Sequence, residues 1–160
     1  MISHPHAPLD EASHADEAGE IRSEHGGGTV TRFVIDSGTA LDLASESIDV
    51  SPEHKLHAPT LWRSETLSAL YEAVRRGEIA ADLAREQLAY INRIKIRLLG
   101  DAVLRRRAWQ VAEQLDLATT YEAEYIALAQ LQKCTLVSTD ARLLKRVGDL
   151  VPTATVDALS

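Results

Sequence analysis

From residue 30 onward, hydrophobic and polar positions fall into two regimes. Short apolar runs of strand length alternate with longer stretches whose apolar residues recur every three or four positions. Arg32-Phe33-Val34-Ile35 reads as a buried strand closed by Asp36-Ser37-Gly38, and a helix starts over Thr39 to Ala44. Ser51-Pro52 breaks the chain, and His57-Ala58 leads into Pro59. A helix is predicted from Thr60 to Arg76, with Leu61, Leu67, Leu70 and Val74 inward and Gly77 as its stop. Ile79 to Ala89 is amphipathic, with Leu83 and Leu88 inward, and a short strand is expected near Ile94 to Leu98. Gly100-Asp101 separates that strand from a helix over Ala102 to Leu115.

Thr119 or Thr120 is placed to cap a further helix, Tyr121 to Gln132, on which Tyr121, Tyr125 and Leu128 share a face. An apolar strand from Cys134 to Ser138 leads through Asp140 into a short helix, Ala141 to Val147, and Val151 to Val156 reads as an edge strand. Strands alternating with helices predict an α/β fold with a parallel sheet covered on both faces. Repeats and a glycine-rich phosphate loop are absent. Residues 1–30 lack periodicity and read as a disordered acidic extension ahead of one domain, 31–160. The spacing of His4, His6, His14 and His25 matches no metal site.

Composition adds boundaries. The lone cysteine, Cys134, excludes an internal disulfide, and neither a signal-like start nor a membrane-length apolar run is present, so a cytoplasmic protein is expected. A net charge of −7 argues against nucleic acid until its distribution is seen. Residues 1–30 carry −5, whereas residues 75–107 carry +5, a local surplus able to attract phosphates or an acidic partner.

Candidate chemistry lies in four acids. Asp36 and Asp140 follow strands, and ligands of open α/β sheets bind outside the carboxyl ends of strands. Glu65 enters from the helix after Pro59, and Glu122 from the first turn of the Tyr121 helix. Taken singly, Asp36 and Asp140 also read as helix caps, Glu122 as an ordinary first-turn acid and Glu65 as a solvated residue.

Four segments in order over residues 32–147 resemble the PIN-domain family, most closely its VapC-type toxins. These are Val34-Ile35-Asp36-Ser37, Ala58-Pro59-Thr60-Leu61 with Glu65, Thr120-Tyr121-Glu122-Ala123-Glu124-Tyr125-Ile126-Ala127-Leu128-Ala129, and Leu136-Val137-Ser138-Thr139-Asp140-Ala141-Arg142-Leu143. The resemblance implies a three-layer α/β/α sandwich and a metal-dependent endoribonuclease toxin, active as a homodimer and neutralised by a cognate VapB-type antitoxin. It assigns catalysis and the binding of Mg²⁺ or Mn²⁺ to Asp36, Glu65, Glu122 and Asp140. A hard divalent cation suits oxygen donors and relieves repulsion among carboxylates.

Ser37 and Ser138 flank the acids and are candidates for orienting water or phosphate, though capping is the simpler role. Arg93, Lys95, Arg97, Arg105, Arg106 and Arg107 are candidates for contact with the RNA backbone or with an antitoxin. Trp62 and Trp109 read as core or interface, and Tyr121 and Tyr125 as core.

One position departs from the family pattern, which has aspartate where this chain has Glu122. The extra methylene displaces the carboxylate by roughly 1.5 Å. A shifted helix start, action through a bound water, or loss of activity are all open. Glu124, about 200° around the helix, is a weaker substitute. The alternatives are therefore an inactive PIN-like module that binds protein or RNA, and a phosphate-receiving aspartyl domain. The latter is weakened by the want of a convincing downstream lysine, since Lys133 sits at a helix end and precedes its strand.

Overall fold

The computed structural model describes residues 30–160. The expected extension, all but its last residue, lies outside the described residues, as do the four histidines within it.

The chain runs β1 (Thr31–Ile35), α1 (Ser37–Glu46), β2 (His54–Pro59), α2 (Trp62–Arg75), α3 (Ala81–Arg93), β3 (Ile96–Leu99), α4 (Ala102–Gln114), α5 (Tyr121–Gln132), β4 (Thr135–Val137), α6 (Ala141–Val147) and β5 (Thr153–Ala154), ending in a 3₁₀ turn at Val156–Leu159. The five strands form one sheet in the order β3-β2-β1-β4-β5, and every pairing is parallel. Helices α1, α2 and α3 pack together on one side, while α5 lies on the sheet with α4 behind it, making the PIN-like α/β/α sandwich. No helix among the described residues is long and apolar enough to cross a membrane.

Covering both faces explains why β1 and β4 read as continuous apolar runs: Val34, Ile35, Leu136 and Val137 are fully buried. Helix α5 is buried nearly all round, through Ala123, Tyr125, Ile126, Ala127, Leu128 and Ala129. Its alanines allow close approach to β1, β2 and β4.

Several sequence expectations need correction. Strand β2, next to β1 in the sheet, is absent from the sequence reading because His54-Lys55-Leu56-His57-Ala58-Pro59 carries three basic or imidazole side chains. Leu70 is buried as expected, but Leu67 and Leu83 point outward; Trp62 and Thr66 on α2, and Ala84, Gln87 and Ile91 on α3, face inward. Thr120 stands at the start of α5 but makes no side-chain cap bond. Tyr121 is 60% exposed, so only Tyr125 of the pair is core. Trp62 is core; Trp109 is 64% exposed, leaving an interface as its remaining reading. The edge strand shrinks to Thr153–Ala154.

Candidate active site

Because all strands run the same way, their carboxyl ends lie along one edge of the sheet. Asp36 follows β1 and Asp140 follows β4, its neighbour, so sheet order alone brings the two loops together. Their contact is close: a Cβ on Gly38 would lie 2.9 Å from Thr139 Oγ1.

Asp36 is 8% exposed and accepts hydrogen bonds on both oxygens. Oδ1 accepts from the Thr39 backbone N–H at 2.8 Å and from the Thr39 hydroxyl at 2.7 Å; Oδ2 accepts from the Ser138 hydroxyl at 2.5 Å. A carboxylate offers about four lone-pair sites, so one is left for an incoming partner. The capping role read from the sequence is therefore real, and it occupies only Oδ1. Ser138 Oγ also accepts from the Asp140 backbone N–H at 3.0 Å, so a single buried serine joins the two aspartate loops. Asp140 caps α6 through Oδ1, which accepts from the N–H groups of Arg142 and Leu143. Ser37 is the first residue of α1 and is half-buried.

Glu65 reaches the same edge from α2. Trp62, one turn earlier, donates its indole N–H to the Asp36 carbonyl at 3.3 Å, pinning the start of α2 to the end of β1. The Tyr125 hydroxyl donates to Glu65 Oε1 at 2.8 Å. Burial pushes the Glu65 carboxyl above its ordinary range; the Tyr125 bond works against this, and the charges of Asp36 and Glu122 add to it. Glu124 is also raised, by burial and then by Glu65. Both α5 acids thus stand in the field of Glu65, despite their angular separation on the helix. Burial followed by the charge of Asp36 raises Asp42 of α1. Glu122 is paired with Arg146 of α6, at 2.9 Å.

Sequence reasoning missed Thr39, Tyr125, Asp42 and Arg146 as parts of this site. Only Tyr125 left a trace, as an inward polar aromatic one turn after Glu122. The basic candidates divide. Arg105, Arg106 and Arg107 lie early in α4, which leaves the carboxyl end of β3, and Arg107 donates to Gln130 at 3.3 Å. Arg93, Lys95 and Arg97 lie at the opposite end of that strand, away from the acids.

The donors suit a hard divalent cation: all are carboxylate oxygens, and the neighbouring charges raise the proton affinity of Glu65 and Glu124 beyond the effect of burial, a conflict that a cation relieves. As placed, no three His, Cys, Asp or Glu side chains among the described residues converge tightly enough to hold an ion. Glu122 is turned to Arg146 and Asp140 to the first turn of α6, so ligation requires those two side chains to turn inward.

A parallel α/β/α sandwich with carboxylates gathered at the carboxyl edge of its sheet defines a PIN-like domain. No family model matches the chain. It is 29% identical over 114 residues to ribonuclease VapC9 of Mycobacterium tuberculosis, covering 69% of this chain and 87% of that protein. Its fold matches the crystal structure of PAE2754 from Pyrobaculum aerophilum, with a TM-score of 0.65 and 24% identity over 83% of this chain and 95% of that one. It also matches that of VapBC2 from Rickettsia felis bound to a promoter DNA fragment, with a TM-score of 0.59 and 8% identity over 78% and 98% of the two chains. The chain is thus similar in sequence to a VapC ribonuclease and has the PIN-like fold of these solved structures.

Proposed function

We propose that this chain is a metal-dependent endoribonuclease toxin, neutralised in the cytoplasm by a cognate VapB-type antitoxin and acting as a homodimer. The observation that carries the reading is the buried Asp36 carboxylate, oriented by Thr39 and Ser138 and set among like charges at the carboxyl edge of the sheet. A buried acid held among like charges suits cation binding better than it suits stability. The ribonuclease named among the relatives supports RNA as the substrate, and the VapBC2 neighbour supports an antitoxin partner.

Asp36, Glu65, Glu122 and Asp140 would hold Mg²⁺ or Mn²⁺, which when bound supplies Lewis acidity at the scissile phosphate. The chain's own residues prepare that site. Ser138 and Thr39 hold Asp36 in one orientation, and Tyr125 keeps one Glu65 oxygen engaged so that the carboxylate stays aimed. Arg105 and Arg106, exposed on α4, are placed to meet the RNA backbone.

Purified protein free of antitoxin would be incubated with structured RNAs, with Mn²⁺, with Mg²⁺ and with chelator. Cleavage that needs the metal and disappears in folded Asp36→Asn is the expected result. Absence of both cleavage and Mn²⁺ binding in folded protein would overturn the proposal. The Glu122–Arg146 pair favours a second reading, a non-cleaving module; Mn²⁺ binding without cleavage of any RNA would select it.

A further inference from the structure

A second concavity lies at the other end of the sheet. A cleft of about 590 Å³ opens at the amino ends of β1, β2 and β3, lined by Arg32, Lys55, His57, Lys95, Arg97 and, from the end of α5, Gln132. Strand register explains the clustering. Arg32 pairs with Lys55, Val34 with His57, and His57 with Arg97. Register partners in a parallel pair share a face, as do residues two apart on one strand, so Arg32, Lys55, His57 and Arg97 form one patch on one face of the sheet. Its lining contains no carboxylate, and among the described residues none of Arg32, Lys55, Lys95 or Arg97 forms a side-chain ion pair or hydrogen bond.

His57 sits at the back of this patch. It is 6% exposed, and neither ring nitrogen has a hydrogen-bond partner. A buried polar group left unpaired costs about 1–3 kcal/mol, and unneutralised like charges add to that cost. Burial, then the charges of Arg32, Arg97 and Lys55, hold the imidazole below the usual histidine range. A neutral ring keeps one donor and one acceptor nitrogen. The cleft thus presents cations from three strands together with an imidazole able to donate and to accept.

We propose that this cleft is a binding site for a phosphate group, either inorganic phosphate or the terminal phosphate of a nucleotide. A compact dianion answers several cations at once, and its oxygens form charge-assisted bonds with guanidinium groups. A protonated phosphate oxygen can also donate to the acceptor nitrogen of His57, which a carboxylate cannot do. The volume lies within the range of small-ligand sites, roughly 300–1,000 Å³. Four residues of extended chain separate Arg32 from Asp36, about 13 Å at 3.3 Å per residue, so a phosphate held here is not the one placed among the acids. The site stands independently of the nuclease reading.

The test uses the full chain, titrated with inorganic phosphate, with a 5′-mononucleotide and with a glutamate-rich peptide. Calorimetry and the NMR signals of the His57 ring are the readouts. Saturable phosphate binding that shifts the His57 signals is expected, weakened about tenfold or more in Arg32→Gln/Arg97→Gln, a loss of about 1.4 kcal/mol or more. Both side chains reach solvent, and melting curves check that the variant is folded. Equal affinity for phosphate and mononucleotide supports a free-anion site, and tighter mononucleotide binding supports a nucleotide site. No binding at millimolar phosphate, binding unchanged in the double variant, or binding of the acidic peptide alone would overturn the proposal.

Discussion

The Ser138 hydroxyl donates a hydrogen bond to the buried Oδ2 of Asp36, joining residues 102 positions apart across the β1–β4 seam. Ser138 Oγ in turn accepts from the Asp140 N–H, so the geometry of both aspartate loops depends on one side chain that is itself fully buried.

Ser138→Ala leaves Oδ2 of Asp36 without its donor inside the protein. A stability loss of about 1–3 kcal/mol is expected, since the bond is made to a charged group. Denaturant titration measures it, and a loss within error of zero would show that water replaces the hydroxyl. Mn²⁺ affinity should fall as well, because Asp36 loses its orientation.

Glu65 predicts a pH dependence. Its carboxyl titrates near 4.5 when unfolded and higher when folded, chiefly through burial. Between those two values the folded chain binds more protons than the unfolded one, so stability falls as pH rises through this window and remains lower above it. In chelator, Glu65→Gln should raise the melting temperature at neutral pH and flatten this dependence, with the remainder left to Glu124. Saturating Mn²⁺ should stabilise the parent chain, by about 2.7 kcal/mol at a hundredfold excess over Kd, and Glu65→Gln much less. A variant that melts lower than the parent in chelator would contradict the charge-repulsion account.

Arg146 is paired with Glu122, and would compete with any cation that Glu122 helped to hold. The pair is half exposed, so Arg146→Gln should change stability by less than about 1 kcal/mol. Calorimetry should nonetheless show Mn²⁺ bound several-fold more tightly, because a competing positive charge is gone. Unchanged or weaker binding would place Glu122 outside the ligand set.

Gly100 marks a close approach between the β3–α4 turn and the end of β2. A Cβ there would lie 2.8 Å from Thr60 Oγ1 and 2.9 Å from Thr60 Cγ2. Gly100→Ala should cost about 1–3 kcal/mol from overpacking, and Gly100→Ala in a Thr60→Ser background should recover part of it. Chemical denaturation of the two variants checks both.

Much of this molecule was legible in the residues. Val34-Ile35 ahead of Asp36, and Leu136-Val137 immediately before Ser138, announce buried strands because a sheet covered on both faces leaves them no polar side. Strand ends followed by aspartate located the candidate edge, since side chains there project beyond the ladder. Strand β2 escaped because it carries His54, Lys55 and His57, whose cleft on the sheet exists only once β1 and β3 flank it. Leu67 and Leu83 misled for the opposite reason: periodicity gives a helix face, and packing decides which edge of that face is covered.

By itself, then, the sequence determined the alternation of strands and helices, the apolar centre at β1, α5 and β4, and the positions of the four candidate acids along the chain. Those are local properties, carried by side-chain type and spacing. Only the tertiary structure decided the partners: Ser138 with Asp36, Tyr125 with Glu65, Arg146 with Glu122, and the cations around His57. Each joins residues on different elements, and their distances depend on strand order and helix packing, which no local pattern encodes.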